Sequence, residues 1–165
     1  MSTPNQAVIP LSLQQAITDT FQVQLSMPVK VSVTTMSASE TLKATSILDI
    51  VSVMGVKCTG FTGSLALGFP KVMFMHALES MLGEKHTEIT NENADACGEL
   101  LNIIYASSRV KINESGFDFQ PAIPSTVCGK EVSLPIGQFS SFMKFTCESE
   151  KGSFLLAFSL KRVEA

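Results

Sequence analysis

The sequence predicts a single α+β domain, residues 1–165, in which a largely antiparallel sheet packs with about three helices. Segments with a helical period and segments with a strand period follow one another in runs, not in the strict alternation of a doubly wound parallel sheet. Two long apolar strands close the chain and are separated only by Glu148 to Gly152, the length of a hairpin turn. With 45% hydrophobic and 16% charged residues, the 165 residues can bury a sizeable core, and no low-complexity linker divides them.

The first helix is expected from Leu11 to Leu25, where Leu13, Ile17, Phe21 and Leu25 recur every four residues, and Pro28 closes it. Val29, Val31 and Val33 alternate with Lys30, Ser32 and Thr34, the pattern of a half-buried strand. Ile47 to Gly60 and Thr62 to Phe69 read as two more strands, with Gly60 and Gly63 marking the turn. Pro70 opens a second helix whose apolar stripe, Phe74, Ala77, Leu78, Met81 and Leu82, stops at Gly83. Thr90 and Asn91 can cap a third helix running to about Ser107 or beyond, with Glu92 and Asp95 near its positive end. Phe117 to Gln120, a segment punctuated by Pro121 and Pro124, and a strand near Thr126 follow. The final strands are placed at Phe139 to Glu148 and Ser153 to Arg162.

Composition excludes several classes of function. A net charge of -3 offers no basic field for a nucleic-acid backbone. No apolar run is long enough to span a bilayer, and Met1 to Pro10 lack a signal-type core, so a soluble cytoplasmic protein is expected. Cys58, Cys97, Cys128 and Cys147 form no close pair and read as buried free thiols, not a zinc cage or redox motif. His76 and His86 lack metal-ligand spacing, and His76 is expected at a helix surface or boundary. Neither histidine stands in a recognisable arrangement with a nucleophile, which argues against a Ser or Cys hydrolase. The apolar surplus makes dimerisation plausible from composition alone.

The best functional lead is Asp95-Ala-Cys-Gly-Glu99-Leu-Leu-Asn102 in the third helix. At about 100° per residue, Asp95, Glu99, Asn102 and Ala106 fall on one narrow stripe, while Ala94, Cys97, Leu101 and Ile104 point inward. The stripe therefore faces solvent or a partner. Gly98 borders it, and a position without a side chain lets another backbone approach, at a helix cost of about 1 kcal/mol relative to alanine. A faint repeat relates the first and third helices through Val29-Lys30 and Val110-Lys111. It sets Ser12, Ala16 and Asp19 against Asp95, Glu99 and Asn102, so one polar constellation per chain is expected.

These residues resemble the signature of the CheC/CheX/FliY family of chemotaxis phosphatases: Asp or Ser, three residues, Glu, two residues, Asn, and a proline downstream. Gly60-Phe-Thr-Gly-Ser-Leu-Ala-Leu67 ahead of a Met-rich helix, Gly98-Glu-Leu-Leu-Asn-Ile-Ile104, and Pro124 with Gly129 follow the same order of elements over nearly the whole chain. The 21 residues between Asn102 and Pro124 are one fewer than the family's usual gap. The single motif is similar to the CheX branch and not to the two-site CheC branch.

The resemblance implies a CheC-like layered fold and a homodimer whose subunits extend one another's sheet. It also implies a phosphatase acting on the aspartyl phosphate of a CheY-like receiver domain. Glu99 would pair with the receiver's active-site lysine, Asn102 would orient the attacking water, and Asp95 would support the helix or contact the partner; Gly98, where a backbone can approach closely, is read as a further partner contact. Mg²⁺ would come with the receiver, so no intrinsic metal or cofactor is required. The residue types suit that chemistry. An acyl phosphate has a good leaving group and needs a positioned water more than a strong base, and a carboxamide holds water without bringing negative charge to the phosphoryl group. A non-catalytic dimeric adaptor that docks a receiver or a flagellar-switch protein is the alternative.

Overall fold

Helix α1 (Val8–Leu25) begins three residues before the expected start, because Pro10 sits in its first turn, where an amide hydrogen has no intrahelical acceptor to lose. The Asn5 Oδ1 accepts from the Ala7 amide at 3.0 Å just ahead of it. Ile9, Leu13, Ile17, Phe21 and Leu25 are buried along one face. The helix ends where Ser26 adopts a left-handed conformation (φ 50°) and Pro28 prevents continuation.

The structure, a computed structural model, describes residues 4–37, 47–134 and 141–164. After α1 come β1 (Lys30–Ser37), β2 (Leu48–Cys58), β3 (Phe61–Phe69), α2 (Lys71–Leu82), α3 (Asn91–Glu114), β4 (Ser125–Val132), β5 (Ser141–Ser149) and β6 (Gly152–Arg162). The expected start of the fifth strand at Phe139 lies outside the described residues. The six strands form one sheet in the order β1-β5-β6-β3-β2-β4, and every pairing is antiparallel. Among the described residues, three helices and this sheet make the α+β layered fold read from the sequence.

Register fixes which side chains meet the helices. Met54 lies opposite Leu65, and Leu65 opposite Phe158, placing all three on the face that packs under α1, α2 and α3. Phe21 of α1 stacks on Phe154 of β6 at 4.3 Å between ring centroids, and Phe69 sits 5.0 Å from Phe154, so aromatic rings tie α1 to the sheet centre. The reverse face buries a smaller group, Leu48, Val51, Ala66 and Leu155.

Two expectations change. The β2–β3 turn is made by Thr59 and Gly60 alone, with Gly60 at φ 80°. Gly63 lies inside β3, paired with Val56 and Leu160, where a Cβ would collide with the Ser159 carbonyl. The four thiols are free, but only Cys97 and Cys147 are buried; Cys58 is half-buried and Cys128 is exposed on β4, an edge strand of the sheet among the described residues.

Candidate functional site

Thr90 and Asn93 start α3 with a reciprocal capping box. The Thr90 Oγ1 accepts from the Asn93 amide at 3.2 Å, and the Asn93 Oδ1 accepts from the Thr90 amide at 2.8 Å. Asn93 also donates through Nδ2 to the Glu88 carbonyl at 2.8 Å, which fixes the direction in which the helix leaves its loop. From there the apolar period runs past Ser107 to Ile112, so the helix extends to Glu114. The Ser108 hydroxyl, polar within that period, is buried and donates to the Tyr105 carbonyl at 3.0 Å.

Along this helix Ala94, Cys97, Leu101 and Ile104 are buried, while Asp95, Glu99, Asn102 and Ala106 are exposed. The structure thus brings Asp95, Glu99 and Asn102 onto one solvent-facing stripe backed by a rigid core. Neither the Glu99 nor the Asn102 side chain makes a hydrogen bond or ion pair with another described residue, so the carboxylate and the carboxamide are both open to an incoming group. The stripe can offer a charge-assisted acceptor and, about one turn on, a group that both donates and accepts.

Gly98 borders the stripe, as the helical period places it, but is covered by another part of the chain. It is buried beneath β4 and the segment before it: a Cβ there would meet the Thr126 Oγ1 at 3.3 Å and the Pro124 Cγ at 3.4 Å. The close approach that its missing side chain permits is therefore made within the chain, by Pro124. Behind it, Ser52 of β2 and Thr126 of β4 share a hydrogen bond that locks the edge strand under the helix.

The residues that hold this arrangement were not singled out from the sequence. Tyr105, the one tyrosine of the chain, donates its hydroxyl to the Gln120 carbonyl at 2.6 Å. Asn113 donates through Nδ2 to the Phe119 carbonyl at 3.1 Å and accepts from the Phe119 amide at 2.8 Å. The available signal was a polar-tipped tyrosine at the rim of an apolar stripe, where its hydroxyl must find a partner. Burial pushes the Tyr105 hydroxyl up to about 12, with the nearby Arg109 opposing that shift, and burial pushes the Cys97 thiol up to about 12.

On α1, the residues aligned with the motif point differently: Ser12 and Ala16 are buried and only Asp19 is exposed. Among the described residues that helix carries no second copy of the constellation. His76 is half-buried in the middle of α2, beside a recess shared with Met27, Glu79 and Lys151, the helix-surface or boundary position expected of it. Among the described residues, no three His, Cys, Asp or Glu side chains gather into a group that could hold a metal ion, and no helix is long and apolar enough to cross a membrane.

Residues 50–148 match the protein family described as Chemotaxis phosphatase CheX. The fold is shared with the chemotaxis protein CheX from Vibrio vulnificus, at 20% identity and a TM-score of 0.80, covering 91% of this chain and 97% of that one. A CheC-like superfamily protein from Shewanella sp. PV-4 superposes with a TM-score of 0.81 at 18% identity, covering 95% of this chain and 99% of that one. A chain of the CheX–CheY–BeF₃–Mg²⁺ complex from Borrelia burgdorferi matches with a TM-score of 0.68 at 12% identity, covering 93% and 98% respectively. None of the curated proteins compared with this chain matches it.

Proposed function

This chain belongs to the CheX family of chemotaxis phosphatases, and we propose that it hydrolyses the aspartyl phosphate of a CheY-like receiver domain. The observation that carries the proposal is the exposure of Glu99 and Asn102 side by side on α3, on a helix whose opposite face is fully buried. Such a rigid ridge can enter a shallow active site on another protein without reordering itself.

In this reading Glu99 accepts a charge-assisted hydrogen bond from the receiver's lysine, which sets the docking angle. Asn102 then reaches the phosphoryl group, its carboxamide oxygen accepting from the attacking water and its nitrogen free to donate to a neighbouring oxygen. In-line attack on phosphorus releases inorganic phosphate and the receiver's aspartate carboxylate. The Mg²⁺ that offsets phosphoryl charge belongs to the receiver substrate, and Asp95 borders the contact. We further propose that the chain acts in the cytoplasm as a homodimer, for which a sheet with β1 and β4 at its edges provides suitable pairing surfaces. The complex of a CheX with CheY from Borrelia burgdorferi supports the choice of partner.

The test is phosphate release from Mg²⁺-loaded, phosphorylated CheY-like receivers, with and without this protein and its Glu99→Ala and Asn102→Ala variants. Acceleration by the wild type that both variants lose supports the assignment. Binding of receivers without acceleration of any of them would instead favour a docking adaptor.

A further inference from the structure

The segment before β4 is held rigidly against α3. At its start the Gln120 carbonyl accepts from Tyr105, and the Gln120 amide donates to the Lys57 carbonyl at 2.9 Å. At its end Pro124 rests over Gly98. Between these anchors the sequence reads Pro121-Ala122-Ile123-Pro124. The two prolines fix φ at their own positions and favour extended backbone at Gln120 and Ile123, which limits how the segment can rearrange. Ile123 is 88% exposed, the highest value for a large hydrophobic residue among those described.

Its place relative to the site follows from helix geometry. At about 100° per residue, Gly98 and Tyr105 lie roughly 40° and 60° to one side of Asn102, and Glu99 roughly 60° to the other. Contacts with Gly98 and Tyr105 therefore lay the 120–124 segment along the flank of α3 next to Asn102 and away from Glu99. A single exposed apolar residue is ordinary on a protein surface. One held rigid by prolines and hydrogen bonds beside the reactive carboxamide has little ordering entropy left to lose on binding.

We propose that Ile123 is a docking residue for the receiver, packing on an apolar side chain of the receiver's surface and seating the phosphoryl site over Asn102. The proposal rests on the phosphatase reading above. Contact on this flank exists equally in the bound ground state and the transition state, so its loss raises KM and leaves kcat in place.

The experiment compares wild type, Ile123→Asp, Ile123→Leu and, as a control at an exposed apolar position on α2, Val72→Asp. It measures the Kd for a CheY-like receiver loaded with Mg²⁺ and beryllofluoride, and kcat and KM on the same receiver phosphorylated. Ile123→Asp is expected to raise Kd and KM about tenfold with kcat within about twofold, while Ile123→Leu and Val72→Asp stay near wild type. Unchanged Kd and KM in Ile123→Asp, or a fall in kcat alone, would overturn the docking role. A wild type that binds the receiver without turnover defeats the phosphatase reading, and the Kd series then decides the Ile123 contact by itself. A wild type that binds no receiver overturns both.

Discussion

The Cγ of Pro124 lies 3.4 Å from where a Cβ on Gly98 would stand. A residue 26 positions further along the chain thus occupies the space that a helical side chain would have taken, and the bare helix surface becomes the seat for the segment beside the site.

The cost of filling that seat grows with the size of the side chain. Gly98→Ala adds a methyl 3.3 Å from the Thr126 Oγ1, tight enough that its neighbours must give by a few tenths of an ångström, but removes helix-disfavouring glycine, so its net effect should stay within about 1 kcal/mol. Gly98→Leu must push Pro124 and Thr126 away and should destabilise by about 1–3 kcal/mol, seen as a lower urea midpoint in equilibrium unfolding.

Tyr105→Phe deletes the hydroxyl that holds Gln120, leaving the Gln120 carbonyl without this donor at a cost of about 1 kcal/mol. The same hydroxyl contributes to pH dependence. Its folded value, about 12, exceeds the ordinary tyrosine value of 10.0, so the native state holds its proton in a range where the unfolded state has lost it. The contribution is complete below about pH 10 and is lost as pH rises toward about 12. Thermal melts across that window should show a shallower alkaline decline in Tyr105→Phe than in wild type.

Thiol accessibility should divide the cysteines by place. Cys128, exposed on β4, should react with a chromogenic disulfide reagent in the native protein, and Cys58 more slowly, because burial and the nearby Asp118 push its thiol up to about 11. Cys97 and Cys147 should react only on unfolding. Prompt titration of all four in native buffer would contradict the packing of α3 and β5.

Glu99→Ala and Asn102→Ala should leave stability within about 0.5 kcal/mol of wild type, since both side chains are exposed and bond to no other described residue. If Asn102 positions water, its alanine variant should lose turnover on the order of 10²-fold while still binding a beryllofluoride-loaded receiver. Loss of the fold in either variant, read by circular dichroism, would contradict this account of the site.

Local pattern carried much of this protein. Four-residue spacing in α1, two-residue alternation in β1 and the Thr90 cap of α3 depend on neighbours in the chain, so the elements and the outward stripe of Asp95, Glu99 and Asn102 were legible from residue order. The sequence also determined that Ala94, Cys97, Leu101 and Ile104 face inward, because a helix fixes the angle between residues whatever it packs against. Only the tertiary structure decided the strand order β1-β5-β6-β3-β2-β4, since pairing between distant segments depends on which edges meet. It decided as well that Cys128 stands exposed on an edge, that Gly63 belongs to a strand because β6 runs against it, and that Gly98 receives Pro124. These last positions depend on chain brought in from far along the sequence, whose arrival no local period records.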